Sequence, residues 1–554
     1  MAVLRQMELF VRTVFVLFDS LNRLALECYG GQGIPTPNFN RFAERAITFD
    51  RHYVGGLPCM PARRDLHTGR LTFMHRSWGP LEPFDNSFPK ILSEHGTYSH
   101  MISDHQHYFQ EGGFGYINTF DSWEFIRGQE DDTWVAMVQP PLERFREMFD
   151  DRHYPLSKIP ETAKTVTRGN TPWKAWKHLS NIKNRERYKE EEEFPCVKCF
   201  TAGLEFLDGN KDADSWFLMI ETFDPHEPFH APERFKKLFE TGYTGKILDW
   251  PVYEKVTNSA DEIAEIRANY AALVAMCDDQ FGRLLDAFDK DGLWENTALV
   301  VTTDHGFLLS EHDWWGKNRT PYYEEISHIP LMIYHPDYAA KGGERRSALT
   351  QQTDLMPTFL DFASAGRPSE VTGCSLRKVL ETDEPVRDDL ILGMFGGPIC
   401  ATDGRYTYYL FPDSLTGEGF NEYTVMPTHL RSYFDVREFE GAEMSGPFEF
   451  TKSMPVMKIK ARDFAERIPW LEQQGGFADV GTVLYDLAAD PQQERPVDAP
   501  EIVAALRQSI TRHLWRHDAP PETFVRYGLT EEKLAMERQL ERVVRPLEPC
   551  INRE

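Results

Sequence analysis

Four short and almost uninterrupted apolar runs constrain this chain more than any other feature: Val14–Phe18, Trp216–Ile220, Ala298–Thr302 and Pro330–Tyr334. A strand with one wet face alternates polar and apolar residues. Runs without that alternation predict strands covered by helices on both faces. Between the second and third runs lies Ala264–Asp289, where Tyr270, Leu273, Val274, Cys277, Phe281, Leu284, Leu285 and Phe288 recur at helical spacing. Strand, helix, strand in this order predicts an α/β fold: a doubly wound sheet sandwiched by helices, with its chemistry gathered at the carboxyl edge of the strands.

At 554 residues the chain exceeds what one small core needs. We expect an α/β domain over 1–380, carrying a charged, Trp-containing insertion at about 123–200 that ends in the acidic run Glu190–Glu193. A smaller α+β C-terminal subdomain is expected at 381–500, with a Gly- and Phe-rich insertion at 411–470 inside it, and a helical extension at 501–554. Mixed-sign charges at helical spacing from Leu506 to Leu547 predict a surface or subunit-contact helix, and with it a homo-oligomer.

The formal net charge of −26 excludes nucleic acid as a partner, because phosphate backbones are bound by surplus Lys and Arg. An anionic substrate would have to be held by a local group of cations or a metal, against the overall field. No run of 18 apolar residues predicts a membrane span. Glu8 and Arg12 interrupt the N-terminal apolar stretch, which argues against a signal peptide. Eight cysteines in so long a chain do not make a disulfide framework, so the expectation is a cytoplasmic protein with mostly reduced thiols. Cys196 and Cys199 have CxxC spacing, but no second pair completes a zinc site.

Asp19 directly follows the first apolar run, and Asp304-His305 follows the third. A lone Asp after a strand is ordinarily a helix N-cap. Two in matching positions, one beside an imidazole, predict instead a site for one hard divalent cation: Ca²⁺, Mn²⁺ or Mg²⁺, the imidazole tilting toward Mn²⁺. Asn22 could add a carbonyl oxygen. His226, in Asp224-Pro225-His226-Glu227-Pro228 after the second run, sits on a loop stiffened by two prolines. His105 and His107, two apart, would share one face of a strand and enter the same pocket.

The segment from Cys59 to Arg70 (Cys59-Met60-Pro61-Ala62-Arg63, then Thr68-Gly69) resembles the signature of the formylglycine-dependent sulfatases of the alkaline phosphatase superfamily. Glu311-His312-Asp313-Trp314-Trp315-Gly316-Lys317, followed by Pro321-Tyr322-Tyr323-Glu324-Glu325, is similar to another family stretch, and weaker matches run from about Val14 to Glu494. The resemblance implies that a maturation enzyme oxidises Cys59 to formylglycine, whose hydrate attacks a sulfate ester. It implies that Arg63 holds the hydrate, Lys317 binds the sulfate oxygens, and His226 bonds the ester oxygen or protonates the leaving alcohol. Asp19, Asp304, His305 and position 59, with Asn22, would hold the cation; His105, His107, His312 and Trp78 would contact substrate.

Two departures from the family pattern bear on specificity. Ser20 stands where many sulfatases have a second Asp, and Asp104 stands near the place of a lysine, with His105 and His107 beside it. This variant looks like the group that includes phosphonate monoester hydrolases. The expected substrate is thus a small-molecule sulfate ester, with a phosphonate monoester or phosphodiester as the alternative. A non-catalytic anion-binding protein with an unconverted Cys59 is the reading from another class.

Overall fold

The structure, a computed structural model, describes residues 12–542 apart from 164, 414, 416–418 and 462–479. The N-terminal segment, part of the 411–470 stretch and the end of the helical extension therefore lie outside the described residues.

Among the described residues the main sheet has nine strands. They are β1 (Arg12–Phe18), β2 (Ile47–Tyr53), β3 (Tyr98–Ser103), β4 (Ser122–Phe125), β5 (Trp216–Thr222), β6 (Thr297–Thr303), β7 (His328–Tyr334) and the short β8 (Arg345–Arg346) and β9 (Thr350–Gln351). The order is β8-β2-β7-β6-β1-β5-β3-β4, with β9 also on β2. The four apolar runs thus become four adjacent strands, β7, β6, β1 and β5. β1 is parallel to both neighbours, whereas β7 runs antiparallel to β6 and β2, so the sheet is mixed.

The runs are continuous because each face of the sheet has its own core. Val14, Val16 and Phe18 pack with Tyr270, Phe281 and Leu284 of the long helix Ala260–Lys290. Phe15 and Leu17 point the other way, against Phe217, Phe359 and Leu360. Each such side chain contributes about 2 kcal/mol on burial, so neither face tolerates a polar residue cheaply. The long helix starts at a capping box of Ser259 and Glu262 and extends the predicted span at both ends.

A second sheet runs Val483–Asp486, Tyr406–Leu410, Ile399–Thr402, Leu390–Met394 and Gly56–Leu57. Its last pairing, Gly393 with Gly56 and Met394 with Leu57, ties it to the segment just before Cys59. Leu506, Ile510 and Leu514 of the helix Pro500–Arg516 cover this sheet. Within the stretch 123–200, Phe145, Tyr154, Leu179 and Ile182 build a small core closed by Trp250, whereas its ends join the main fold through β4 and through Phe194, Cys196 and Phe200. Among the described residues no helix is long and apolar enough to cross a membrane.

Candidate active site

Phe18 of β1 is in register with Thr222 of β5 and Thr303 of β6. The residues that follow therefore emerge side by side at one carboxyl edge. Asp19 and Asp304 come from two of these ends, and Glu221 is the last residue but one of the third strand. Asp19 is not a helix cap. The next helical turn, Arg23–Ala25, is capped by Asn22, whose side-chain oxygen accepts from the Leu24 N–H at 2.9 Å while its amide donates to the Phe307 carbonyl at 3.1 Å. Asn22, expected among the cation ligands, is thus engaged at both ends of its amide. Tyr270 fixes this loop from the long helix, accepting from the Asn22 N–H and donating to the Ser20 carbonyl.

Cys59 begins a wholly buried helix, Cys59–Thr68. Its position at the N-terminus places backbone N–H groups and the positive end of the helix dipole at the site, which favours an anion there. The ligand atoms of Asp19, Cys59, Asp304 and His305 all lie within 4.8 Å of one another and all four residues are buried. Cys59 Sγ is 3.2 Å from His305 Nε2, and His305 Nδ1 is held by the Gly306 carbonyl. One turn along the helix, Arg63 donates to Asp304 at 2.5 Å, to Asp19 at 2.8 Å, to Glu221 at 2.6 and 2.8 Å, and to the Cys59 carbonyl at 3.2 Å.

Lys317 Nζ is 3.2 Å from Ser20 Oγ and 3.8 Å from Asp19. Burial works against its ammonium, but Asp19, Glu227 and Asp304 around it keep it charged. Burial likewise pushes Asp19 up, yet Lys317 and Arg63 outweigh it and hold the carboxylate well below its usual range. Three buried carboxylates, Asp19, Asp304 and Glu221, then face two cations, Arg63 and Lys317. The remaining negative charge and the oxygen-and-imidazole donor set fit a hard divalent cation. Ser20 does not replace a ligand: its N–H donates to Asp304, its hydroxyl donates to Asp19, and its φ is 61°.

Burial pushes the Cys59 thiol strongly upward, more than the nearby Lys317 pulls it down. As a thiol the residue is therefore a poor nucleophile. His226 Nδ1 bonds the Glu227 carbonyl, and burial and Lys317 lower the ring's affinity for a proton. Cys59, His226, Glu227 and Lys317 open together into one cavity of about 700 Å³. Trp78 and His107 line it as well, as do residues of both insertions: Trp173, Lys174, Lys177 and His178 from one, Arg431 from the other.

Other expectations change. β3 ends at Ser103, so His105 and His107 do not sit on a strand and strand alternation does not apply to them. Only His107 reaches the cavity; His105 is buried behind it, 3.6 Å from Glu221 and stacked on Phe223. Asp104 faces inward, accepting from the Phe223 N–H. His312 is absent from the cavity lining; it stacks on Tyr323 and lies 3.4 Å from Glu325. Sequence reasoning missed Glu221, Tyr108 (which donates to Glu221 at 2.8 Å) and Arg431.

A buried centre of two strand-end carboxylates, an imidazole and a helix-start residue, open to a cavity with a lysine and a histidine, defines a hydrolase of the alkaline-phosphatase-like type. The Sulfatase family model matches residues 12–365, and the chain belongs to that family of sulfuric ester hydrolases. It is 25% identical over 414 residues to N-acetylglucosamine-6-O-sulfatase of Bacteroides thetaiotaomicron, covering 67% of this chain and 71% of that one. It is 23% identical to an arylsulfatase of Clostridium perfringens, over 83% of this chain and 92% of the other. Among solved structures, the phosphonate monoester hydrolase of Agrobacterium radiobacter superposes with a TM-score of 0.57 at 18% identity, over 96% of each chain. A structure bound to its substrate D-glucosamine-2-N,6-O-disulfate superposes at 0.59 with 17% identity, over 92% of this chain and 99% of that one.

Proposed function

We propose that this sulfatase cleaves small-molecule sulfate monoesters with Cys59 oxidised to formylglycine and one divalent cation held by Asp19, Asp304, His305 and position 59. The observation that carries the reading is the convergence of those four buried residues, of which Cys59 opens into a cavity that Lys317 and His226 also line. A hydrated aldehyde supplies two hydroxyls, one to attack sulfur and one to expel sulfate by re-forming the carbonyl. The cation supplies Lewis acidity toward the sulfate oxygens and favours ionisation of the attacking hydroxyl.

The remaining work falls to this chain's side chains. Arg63, bonded to the Cys59 carbonyl and to both carboxylates, fixes residue 59 relative to Asp19 and Asp304. Lys317 places a point charge on the sulfate. With its Nδ1–H donated to a carbonyl, neutral His226 turns the Nε2 lone pair to the substrate. It donates to the bridging ester oxygen or gives the leaving alcohol its proton only after Nε2 has gained a proton. Among the described residues six cysteines are free thiols and Cys374 is disulfide-bonded; the preponderance of thiols favours a reducing compartment and so a cytoplasmic location.

A phosphonate monoester or phosphodiester substrate is the second reading. It is favoured by Ser20 in place of a further carboxylate and by neutral His107 in the cavity. Both ester types carry one negative charge, so local electrostatics does not separate them. The decisive experiment pairs the intact mass of the Cys59 peptide with turnover of matched aryl sulfate, phosphodiester and phosphonate substrates. We expect the aldehyde mass, fastest turnover of the sulfate, and loss of turnover on chelation that added Mn²⁺ or Ca²⁺ restores. A diester preference by orders of magnitude overturns the sulfate reading; a thiol mass without hydrolysis leaves an anion-binding protein.

A further inference from the structure

We infer that Arg431 and Lys177 form a second anion subsite in this cavity, one that takes a carboxylate or sulfate carried on the leaving group. The inference rests on the ester-hydrolase reading of the cavity and names the class of substrate that fills it. Its centre is Glu130, a buried carboxylate in the cavity lining. One of its oxygens pairs with Lys177 Nζ and lies 4.0 Å from Arg431 Nη2. The other is 3.3 Å from His107 Nε2 and accepts from Gln106 at 3.3 Å. Two full cations thus act on two buried carboxylates, Glu130 and the adjacent Asp131, whose carboxyl burial and Glu130 push up to about 6. The charges therefore balance at neutral pH, and the assembly offers an anion fixed cationic donors.

Both cations are held in place. Arg431 Nη2 donates to His107 Nε2 at 2.7 Å, and its guanidinium lies 5.2 Å over the Trp78 ring. Arg431 Nε is buried and has no hydrogen-bond partner among the described residues. Lys177 Nζ lies 5.1 Å over the Trp250 ring, which stacks on His178. Cations fixed by buried partners lose little freedom when an anion arrives, which is what separates a binding site from a solvated surface lysine.

The other carboxylates in the lining are engaged elsewhere: Asp151 accepts from Ser157, and Glu227 from Tyr253. Lys158 and Lys174, both exposed at the same cavity, extend its positive side, with Glu254 facing Lys174. Lys177 belongs to the 123–200 stretch and Arg431 to the 411–470 stretch, whereas Cys59 and Lys317 come from the main α/β fold. The charged groups that act most strongly on Cys59 are Lys317, Asp19, Asp304 and Arg63, with neither Arg431 nor Lys177 among them, so an anion held by these two is a different group from the ester at Cys59.

The test uses three aryl sulfates on the full-length enzyme: a neutral ring, the same ring with a carboxylate, and the same ring with a sulfonate. Wild type is expected to favour the charged rings by about tenfold in kcat/KM, the scale of one charge-assisted hydrogen bond. Arg431→Gln and Lys177→Gln should each lose about tenfold more on a charged ring than on the neutral one, mainly through KM, and Arg431→Lys should recover part of the loss. The carboxylate and sulfonate arms show which anion fits better. Equal losses on neutral and charged rings, or no preference in wild type, overturn the proposal. Calorimetric binding of the carboxylated phenol product separates this outcome from failure of the sulfatase reading. Binding that Arg431→Gln abolishes, without any sulfate turnover, sustains the subsite and rejects the sulfatase chemistry; sulfate turnover without such binding does the reverse.

Discussion

Arg63 meets Asp19, Asp304 and Glu221 at once, with no part of its side chain exposed to solvent. Removing one partner of a buried ion pair leaves the others uncompensated, so Arg63→Met should cost about 4 kcal/mol of stability, read by urea unfolding. Lys317→Ala should instead lose about a hundredfold in kcat, the scale of one preorganised contact to developing charge. Cys59, Arg63, Asp19, Asp304 and His305 are legible in the sequence because each stands in a local pattern: a motif, or the first polar residue after an apolar run. Glu221 is not. It lies inside an apolar strand, and its partner Arg63 is 158 residues away, so only the sheet register reveals the pair. His105 and His107 mislead for a related reason: the strand stops at Ser103, and the 3-10 turn Gln106–Phe109 directs the two rings differently.

The inserted helix Trp173–Arg185 acts as an element of the cavity wall through one buried junction. Arg185 donates to Asp249 at 2.8 Å and to the Tyr154 hydroxyl at 2.6 Å, and Tyr154 donates to Asp249 at 2.5 Å. Burial raises the Asp249 carboxyl, but Arg185 outweighs it and holds the group below its usual range. A depressed carboxyl stabilises the fold above its unfolded pKa of about 4 and loses that contribution as pH falls through the folded value. Asp249→Asn should therefore cost about 3 kcal/mol at neutral pH, with the gap to wild type closing at acid pH. Trp250 follows Asp249 directly and Lys177 sits on the same helix as Arg185, so the variant should raise KM more than it lowers kcat. The main strands are plain in the sequence because both faces are apolar. The insertion reads only as a charged helical stretch, since its few inward residues, such as Leu179 and Ile182, serve a small local core.

For the whole molecule the long-range and local fields oppose each other. The chain carries a net charge of −26, yet Lys317, Lys177 and Arg431 face the cavity that an anionic ester must enter. The sequence shows the first fact directly; the second depends on lysines and an arginine brought together from three distant segments, which composition alone does not reveal. Between ionic strengths of about 0.01 M and about 0.15 M the Debye length falls from about 30 Å to about 8 Å. That change screens repulsion from the distant surface while leaving contacts inside the cavity largely intact. Salt should therefore raise kcat/KM for an anionic ester by a few fold over this range, and the rise should sit in the association step rather than in kcat. Enzymes that steer anions with a cationic surface behave in the opposite sense. Stopped-flow association of a charged aryl sulfate across that salt range measures the sign, and a rate that falls with salt would mean that the cavity's field reaches the solvent and dominates the approach.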